Sequence, residues 1–225
     1  MRYLGGMEKR PSLRERKQKQ AREQIVEAAF ELFAERGFTD VTVTDIAERA
    51  EVGRTTFFRY FGDKQEVVFS DEQKLLNQLA ERQRAWPDEA PQSLPAALER
   101  VRALVLEVCA EAAADADHYE LHQQLVEQNP ELKDRSARKL QRFAELGEAL
   151  LQERGTPREV AVLAAQLAVA CYQAGSRLAG ADAAALAPAV DVAFGRLDVL
   201  LDPSPAHSIT NERAPRQGRS LTTPE

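Results

Sequence analysis

The amino-acid sequence predicts an all-α protein of about nine helices, and three kinds of observation indicate this fold class. Ala, Leu, Glu, Gln and Arg, which favour helices, are abundant in the chain of 225 residues, and runs of β-branched residues are few. Apolar residues recur at the three- and four-residue spacing of amphipathic helices. Capping residues, glycines and prolines separate one periodic segment from the next.

The first helix is predicted over residues 17–36. Its apolar stripe consists of Ile25, Ala28, Ala29, Leu32 and Phe33. Gly37 follows at a position where helices commonly end. The preceding residues 1–16 are charged, and we expect a disordered basic arm there that starts at either Met1 or Met7.

Two short helices and a tight turn are predicted next. Thr42 opens the second helix, because its hydroxyl can cap the amide three residues later. The apolar stripe of this helix consists of Val43, Ile46, Ala47 and Ala50. After residues 51–53 the helical pattern resumes at Arg54. Two short helices joined by such a turn make a helix-turn-helix, predicted here over residues 42–61 within a domain of residues 17–62.

A fourth, long helix is predicted over residues 63–86. Asp63, followed by Glu66 three residues later, matches the capping box that opens many helices. Residues 87–93, with the sequence PDEAPQS, are expected to form a loop. The fourth helix would therefore link the N-terminal domain to the rest of the chain.

The second part of the chain predicts five more helices. Their expected ranges are 93–114, 117–128, 129–154, 156–178 and 187–201. Asn129 with Pro130, and Thr156 with Pro157, are strong start signals, because proline is tolerated in the first helical turn. Residues 203–225 are polar and lack periodicity, so we expect a disordered tail.

The aromatic and basic residues of the third helix divide between two faces. Phe57 and Phe61 are four residues apart and must pack against Ile46 and the first helix. The outward side or the exposed start of the helix would carry Arg54, Thr55, Thr56, Phe58, Arg59 and Tyr60. Arginine can bond a guanine edge, threonine offers a hydroxyl and a methyl, and phenylalanine can contact a thymine methyl. Tyr60 and Lys64 could reach phosphates, so the surface suits DNA.

Two stretches of the sequence resemble a known family. FELFAERGF, followed by VTVTDIAERAEVGRTTFFRYFGDKQEVV, is similar to the N-terminal domain of TetR-type transcriptional regulators, and the similarity covers residues 17–78. It implies a three-helix DNA-binding domain, a linking helix, and an effector-binding and dimerisation domain, here residues 87–202. It also implies a cytoplasmic homodimer on a palindromic operator, usually a repressor, that is released by a small-molecule effector of unknown identity.

The resemblance also bears on which residues contact DNA. With the outward residues above, the predicted DNA contacts are Thr42, Thr44, Arg54, Thr55, Thr56, Phe58, Arg59, Tyr60 and Lys64. Lys64 falls at the position where the family contacts a phosphate. At the position of Phe58 the family often has a tyrosine that donates a hydrogen bond to a phosphate. Glu51 stands at a turn position that is usually glycine, and Gly53 stands where serine or threonine usually caps the recognition helix. The left-handed conformation at Glu51 is expected to cost about 1 kcal/mol of stability, and the missing cap at Gly53 about a few tenths of a kcal/mol.

Charge is distributed unevenly along the chain. The formal net charge is −6, but residues 1–64 carry +2 and the remainder carries −8. Seven basic residues fall within residues 8–22. Such a run suits an arm that follows the minor groove or the phosphates of DNA, and it also suits a solvated flexible tail.

An effector pocket is expected among the C-terminal helices only because the resemblance implies one. The candidates to line it are side chains that place aromatic, polar-tipped or soft groups on apolar helix faces. They are Trp86, Val105, Cys109, Tyr119, His122, Phe143 and Tyr172. The alternative for each of them is that it fills the core.

The last two helices predict a dimer interface. Residues 160–174 are apolar nearly all round, so this helix must bury against its own domain and a second surface. Small residues there, with Gly175 and Ser176, permit close helix approach. The candidate interface residues are Val160, Leu163, Leu167, Cys171, Val190, Phe194, Leu197 and Leu201. These helices and their symmetry copies would form a four-helix interface, although the same stripes could close a monomeric bundle.

The sequence holds no pattern typical of an enzyme. It has no nucleophile with an adjacent base, no glycine-rich phosphate loop and no carboxylate pair, so we expect neither catalysis nor a cofactor. His118 and His122 have a spacing that can hold zinc. The segment HYELH lacks the glutamate position of a metalloprotease motif, however, and we expect no metal there.

Two further observations concern the compartment and the partners of the chain. Cys109 and Cys171 fit no metal or redox spacing, which favours reduced, buried thiols in the cytosol. No apolar run reaches the length of a membrane span. The alternative to a DNA-binding regulator is a helical ligand- or partner-binding protein whose N-terminal domain does not read DNA.

Overall fold

The structure is a computed structural model that describes residues 12–201. These residues form ten α-helices and no strand, which confirms the predicted all-α class. The helices are α1 Leu13–Arg36, α2 Val43–Arg49, α3 Arg54–Tyr60, α4 Lys64–Val68, α5 Glu72–Arg82, α6 Leu94–Ala113, α7 Ala116–Gln128, α8 Pro130–Glu153, α9 Arg158–Ala179 and α10 Ala183–Leu201, with a 3-10 helix at Gln83–Ala85. No helix within the described range is long and apolar enough to cross a membrane.

The two predicted terminal segments lie largely outside the described residues. These are residues 1–11 of the expected arm and the whole expected tail, 203–225. The rest of the arm differs from the prediction, because α1 begins at Leu13 and residues 13–16 are helical. The first helix thus starts four residues earlier than its apolar stripe indicates.

The helix-turn-helix has the predicted caps and turn. Thr42 Oγ1 accepts the amide of Asp45 at 3.2 Å, and the Asp45 carboxylate accepts the amide of Thr42 at 2.8 Å, which forms a capping box. Glu51 has a φ of +54°, the left-handed conformation that favours glycine. Gly53 is the N-cap of α3 and offers its first amides no side-chain bond. Both departures from the family pattern therefore lie where the resemblance places them.

The predicted linking helix of residues 63–86 is divided into α4 and α5. The break lies at residues 69–71. Phe69 is buried in the N-terminal core, and the guanidinium of Arg22 donates to the carbonyl of Ser70. Packing and a side-chain donor from α1 thus stabilise the chain where it leaves the helical path. Such long-range partners are not visible in the local sequence pattern.

The five C-terminal helices lie close to their predicted ranges, but two of them start differently. α9 begins after Pro157 and is not capped by Thr156, whose hydroxyl is buried without a hydrogen-bond partner among the described residues. α10 begins at Ala183, four residues before the predicted start. The Asp182 carboxylate accepts amides of its first turn, and Pro188 lies inside the helix.

The helices pack around two apolar cores. The first core lies among α1 to α4, and the second lies mainly among α6, α9 and α10. Leu125 of α7 and Leu132 of α8 belong to the first core, at 4% and 0% exposure. The N-terminal domain is therefore not closed on itself, because two C-terminal helices supply part of its interior.

Four aromatic and imidazole rings border this shared core, and we refer to them as the interdomain seam: Phe30, Phe69, His118 and His122. The rings of Phe30 and His118 stack with centroids 3.9 Å apart. The rings of Phe69 and His122 meet edge to face at 5.3 Å. Burial lowers the pKa of His122 to about 3, so its imidazole is neutral. Both histidines thus pack between the two domains.

A glycine allows α9 and α10 to cross closely. Gly175 is buried at the crossing, and a Cβ at this position would lie 2.5 Å from Cα and Cγ2 of Val190. The close approach predicted from small residues is therefore made within one protomer. Cys109 and Cys171 are free thiols buried in the adjoining second core, and burial raises the pKa of Cys109 to about 12.

Replacing Gly175 by alanine is expected to lower the free energy of unfolding by about 1–3 kcal/mol, because the new Cβ would force α9 and α10 apart. Gly147→Ala is the matched control, since its Cβ would meet Ala165 Cβ at an ordinary 3.5 Å. Alanine also forms helices better than glycine by about 1 kcal/mol. Urea denaturation measures both variants. Equal stability of the two would contradict this description of the crossing.

Candidate nucleic-acid interface

Buried aromatic residues set the orientation of α3, the predicted recognition helix. Phe57 and Phe61 are 0% and 2% exposed, and their ring centroids lie 5.8 Å apart. Ile46 of α2 belongs to the same core, and Val52 of the turn packs against it. The predicted inward face of α3 is therefore confirmed. Because this face is fixed, the residues on the other side have a defined direction.

The opposite side of α3 carries most of the predicted DNA contacts. Arg54, Thr55, Phe58 and Arg59 are exposed, and Thr56 and Tyr60 are partly buried. Phe58 is 49% exposed, and its ring meets that of Phe57 edge to face at 5.5 Å. One surface thus presents guanidinium groups, hydroxyls and an apolar ring. These are groups that contact base edges and thymine methyls in a major groove.

The two arginines of α3 have different surroundings. Arg59 Nη2 donates to Thr56 Oγ1 at 3.0 Å, and the guanidinium lies 5.4 Å from the ring centroid of Tyr60. Arg54 is exposed in the first turn and makes no hydrogen bond or ion pair with any other described residue. All N–H donors of the Arg54 guanidinium are therefore free to bind another molecule, whereas the Arg59 side chain is held against α3 by Thr56 and Tyr60.

The predicted contacts on α2 are Thr42 and Thr44. Thr42 is exposed, but its hydroxyl takes part in the capping box. Hydrogen bonds from Thr42 lower the pKa of Asp45, and Arg36 Nη1 lies 3.7 Å from the Asp45 carboxylate. Thr44 is partly buried and takes no part in the cap. Thr42 is thus primarily a capping residue, and Thr44 keeps its hydroxyl for other partners.

Ion pairs hold α2 against α1. Arg49 Nη1 donates to Glu31 Oε2 at 3.0 Å, and Arg49 Nη2 donates to Glu35 Oε2 at 2.8 Å. These bonds raise the pKa of Arg49 and lower the pKa of Glu35. The positive charge of Arg49 is therefore used within the domain.

Lys64 is the first residue of α4, and its ammonium group is bound by the loop between α1 and α2. Its Nζ donates to the carbonyl oxygens of Phe38 at 2.6 Å, Thr39 at 3.2 Å and Val41 at 2.8 Å. It also lies 4.4 Å from the ring centroid of Phe38, and burial lowers its pKa. An ammonium group has three donors, and all of them have partners here. Lys64 thus has a structural role, and the phosphate contact stays a prediction.

The first turns of α1 add basic side chains to the exposed surface. These are Arg14, Arg16, Lys17 and Lys19. Arg22 belongs to the same basic run but is part of the fold: its guanidinium lies 5.2 Å from the ring centroid of Phe61 and donates to the Ser70 carbonyl. The signal for this role is that Arg22 lies three residues before Ile25, on the apolar stripe of α1.

A cavity of about 130 Å³ lies among α5, α6, α8 and α9. Three of the seven predicted pocket residues line it, namely Val105, Phe143 and Tyr172. The others lie elsewhere: Cys109 and Tyr119 fill the second core, and His122 belongs to the interdomain seam. Trp86 packs against the second core, with the guanidinium of Arg100 5.5 Å from its ring centroid.

Lys139 lines this cavity although it is absent from the predicted pocket residues. Its Nζ lies 5.5 Å from the ring centroid of Phe69 and 5.8 Å from that of Phe143. Burial lowers its pKa. The signal is again spacing, because Lys139 stands four residues before Phe143 and so shares the apolar face of α8.

The predicted interface residues divide between the protomer core and its surface. Cys171, Val190 and Phe194 are buried in the second core. Val160, Leu167 and Leu197 are partly buried, and Leu163 is exposed. The side chain of Leu201 lies outside the described residues. The apolar stripe of α10 therefore closes the protomer against α9, so those positions are not on an exposed face.

Five large apolar side chains on α9 and α10 are exposed, and Leu163 alone of them is a predicted interface residue. They are Leu163, Leu178, Val192, Val199 and Leu200, which are 52% to 80% exposed. Only two other large apolar residues in the described range are comparably exposed, Leu13 and Phe58. Most of the exposed large apolar side chains in the described range thus belong to these two helices.

The helix-turn-helix matches a known family. The family described as bacterial regulatory proteins, tetR family, matches residues 25–70, which span the second half of α1 and all of α2 to α4. These residues of the chain therefore resemble the DNA-binding domain of the TetR family.

Curated HTH-type transcriptional regulators match this chain over short stretches. The HTH-type transcriptional regulator TcmR of Streptomyces glaucescens is 45% identical over 60 residues, which are 27% of this chain and 26% of TcmR. The HTH-type transcriptional regulator HbdR of Aromatoleum sp. is 42% identical over 48 residues, 21% of each protein. The matches thus span about a quarter of these relatives or less.

Solved structures resemble the chain over most of its length. Thermus thermophilus FadR, a TetR-family transcriptional repressor in complex with lauroyl-CoA, is 26% identical, with a TM-score of 0.55 over 83% of this chain and 99% of that chain. SmeT in its complex with triclosan is 18% identical, with a TM-score of 0.53 over 78% of this chain and 90% of that chain. The likeness to SmeT shows the fold alone.

Lys64→Ala is expected to lower the free energy of unfolding by about 1–3 kcal/mol, because three carbonyl oxygens lose a charged donor. Lys74→Ala, on the exposed surface of α5, is the control. Urea denaturation measures both. Unchanged stability, together with a salt dependence of DNA affinity that is shallower by about one unit, would contradict the structural role and favour a phosphate contact.

Proposed function

We propose that this chain is a cytoplasmic transcriptional regulator that binds a palindromic operator as a homodimer. In this proposal it is a repressor rather than an enzyme, and a small-molecule effector releases it from DNA. The observation that carries the proposal is α3: buried Phe57 and Phe61 fix it in the core, and Arg54 extends from its first turn with no internal partner. The N-terminal match to TetR-family transcriptional regulators supports it.

Arg54 is the proposed base-reading residue. A guanidinium can donate two parallel hydrogen bonds to O6 and N7 of guanine. The donors of Arg54 are free for this purpose, whereas Arg49 is engaged by glutamates and Lys64 by carbonyl oxygens. The proposed role of the exposed Thr55 and Phe58 is to contact neighbouring base edges, since they share the outward side of α3.

The exposed apolar surface of α9 and α10 supports a homodimer. Exposed apolar side chains that form a contiguous patch mark interaction sites, and we propose that those of α9 and α10 form one. Pairing of this surface with a second copy would produce an isologous four-helix interface. It would also place two recognition helices on one face of DNA, which a palindromic site requires.

Ligand control is proposed from the cavity among α5, α6, α8 and α9. Apolar cavities between helices are common sites for small molecules. Thermus thermophilus FadR, which resembles this chain over most of its length, is bound to lauroyl-CoA. For this chain, an effector would have to prefer the conformation that spaces the recognition helices wrongly for the operator.

Selection of bound sequences from a random DNA pool tests the proposed function. The purified chain is expected to enrich a palindrome, and fluorescence anisotropy should show an affinity for it that falls steeply with salt. Weak binding that is indifferent to sequence would contradict the proposal.

Arg54→Ala is expected to weaken operator binding by about 1–3 kcal/mol and to relax the preference at one position in each half-site. Arg84→Ala removes the same charge from an exposed position outside the helix-turn-helix and should bind like the wild type. Anisotropy with the selected operator and with variants of single base pairs measures both effects. Wild-type affinity and preference in Arg54→Ala would show that Arg54 does not read bases.

Light scattering coupled to size exclusion tests the homodimer. The wild type is expected at twice the chain mass of 25.0 kDa. Leu163→Glu should shift the population toward the monomer, because it places a charge in the apolar surface. Leu13→Glu, at a leucine of α1 that is at least as exposed as Leu163, should leave the dimer intact. A wild-type monomer, or a dimer that is insensitive to Leu163→Glu, would contradict the proposed interface.

A further inference from the structure

The cavity among α5, α6, α8 and α9 places one charged group in apolar surroundings. Most of its walls are leucine, valine, alanine and phenylalanine side chains, among them Leu75, Leu79, Leu104, Val105, Leu140 and Phe143. Among the described residues that line it, Lys139 alone is charged. Apart from this ammonium and the phenol of Tyr172, the side chains that line the cavity are thus apolar.

Among the described residues, no carboxylate forms an ion pair with this ammonium. In the part of the chain that the structure describes, Lys139 makes no hydrogen bond or ion pair, and its Nζ has only the rings of Phe69 and Phe143 at 5.5 and 5.8 Å. Cation–ring contacts at such distances are weak. The carboxylates of Glu72 and Asp71 act on Lys139 only from beyond ion-pair distance, and Glu72 accepts a hydrogen bond from Arg142 Nη1 at 3.0 Å.

We propose that the cavity binds a small hydrophobic carboxylic acid, whose carboxylate pairs with Lys139 and whose apolar part lies between α6, α8 and α9. A charge in apolar surroundings costs free energy unless it is paired, so a carboxylate would remove an existing penalty. One ammonium suits a monoanion. The volume of about 130 Å³ suits one ring or a comparably short chain, since an apolar cavity of about 150 Å³ can hold benzene.

The position of Lys139 also connects the cavity to the DNA-binding domain. The ring of Phe69, which its ammonium contacts, is buried in the first core and follows the last residue of α4. A carboxylate that pairs with Lys139 competes with this contact and so acts directly at the break between α4 and α5. The role of the acid as effector rests on the proposed regulator function, whereas its binding to the cavity does not.

Calorimetric titration of the full chain with octanoate, 1-octanol and octylammonium tests the binding. Octanoate is expected to bind about tenfold or more tightly than either of the others, because only its head group complements Lys139. Lys139→Met keeps most of the length of the side chain without its charge, and the preference should fall to within about twofold. Lys139→Arg and Lys133→Met, the latter at an exposed position of α8, should keep the preference.

Three results would overturn the cavity proposal: no octanoate binding, equal binding of 1-octanol or octylammonium, or an undiminished preference in Lys139→Met. The comparison of the three ligands on the unmodified chain is decisive even if Lys139→Met does not fold. Selective octanoate binding by a chain that selects no DNA sequence would support the cavity proposal and contradict the regulator. If the chain does select an operator, octanoate should weaken its binding about tenfold, and unchanged operator affinity would overturn the effector role alone.

Discussion

The position of the recognition helix relative to the C-terminal helices depends on the apolar core that the two domains share. Leu125 and Leu132 of the C-terminal helices are buried among the residues of the N-terminal domain. At the margin of this core Arg135 Nη1 lies 3.3 Å from the Asp63 carboxylate, at the start of α4. The domain therefore cannot turn independently of α7 and α8 without exposing apolar surface.

The basic residues around α2 and α3 are of two kinds, those with partners inside the protein and one without. Arg49 and Lys64 have internal partners that hold α2 and the preceding loop in place. Arg22 ties α1 to the end of α3 and to the break before α5. Arg54 has no such partner. Arg54 thus keeps its donors free, whereas Arg22, Arg49 and Lys64 fix the geometry of the domain.

Local patterns were sufficient to predict the helix-turn-helix. The capping box at Thr42, the strained turn at Glu51 and the inward side of α3 all follow from residues within a few positions of one another. The break at Phe69 depends on Arg22 and the shared core, which are distant in sequence, so the pattern predicts one continuous helix. Likewise, the apolar stripe of α10, to which Val190 belongs, predicts that these residues are buried. It does not distinguish burial within a protomer from burial in a dimer.

The central claim is that two copies of α3 read guanines in a palindromic site through Arg54. Methylation protection of guanine N7 on the selected operator tests it most directly, because this atom faces the major groove. The account predicts protected guanines at symmetric positions in both half-sites, and loss of that protection with Arg54→Ala. Unprotected guanines throughout the bound operator, or protection that persists in Arg54→Ala, would contradict it.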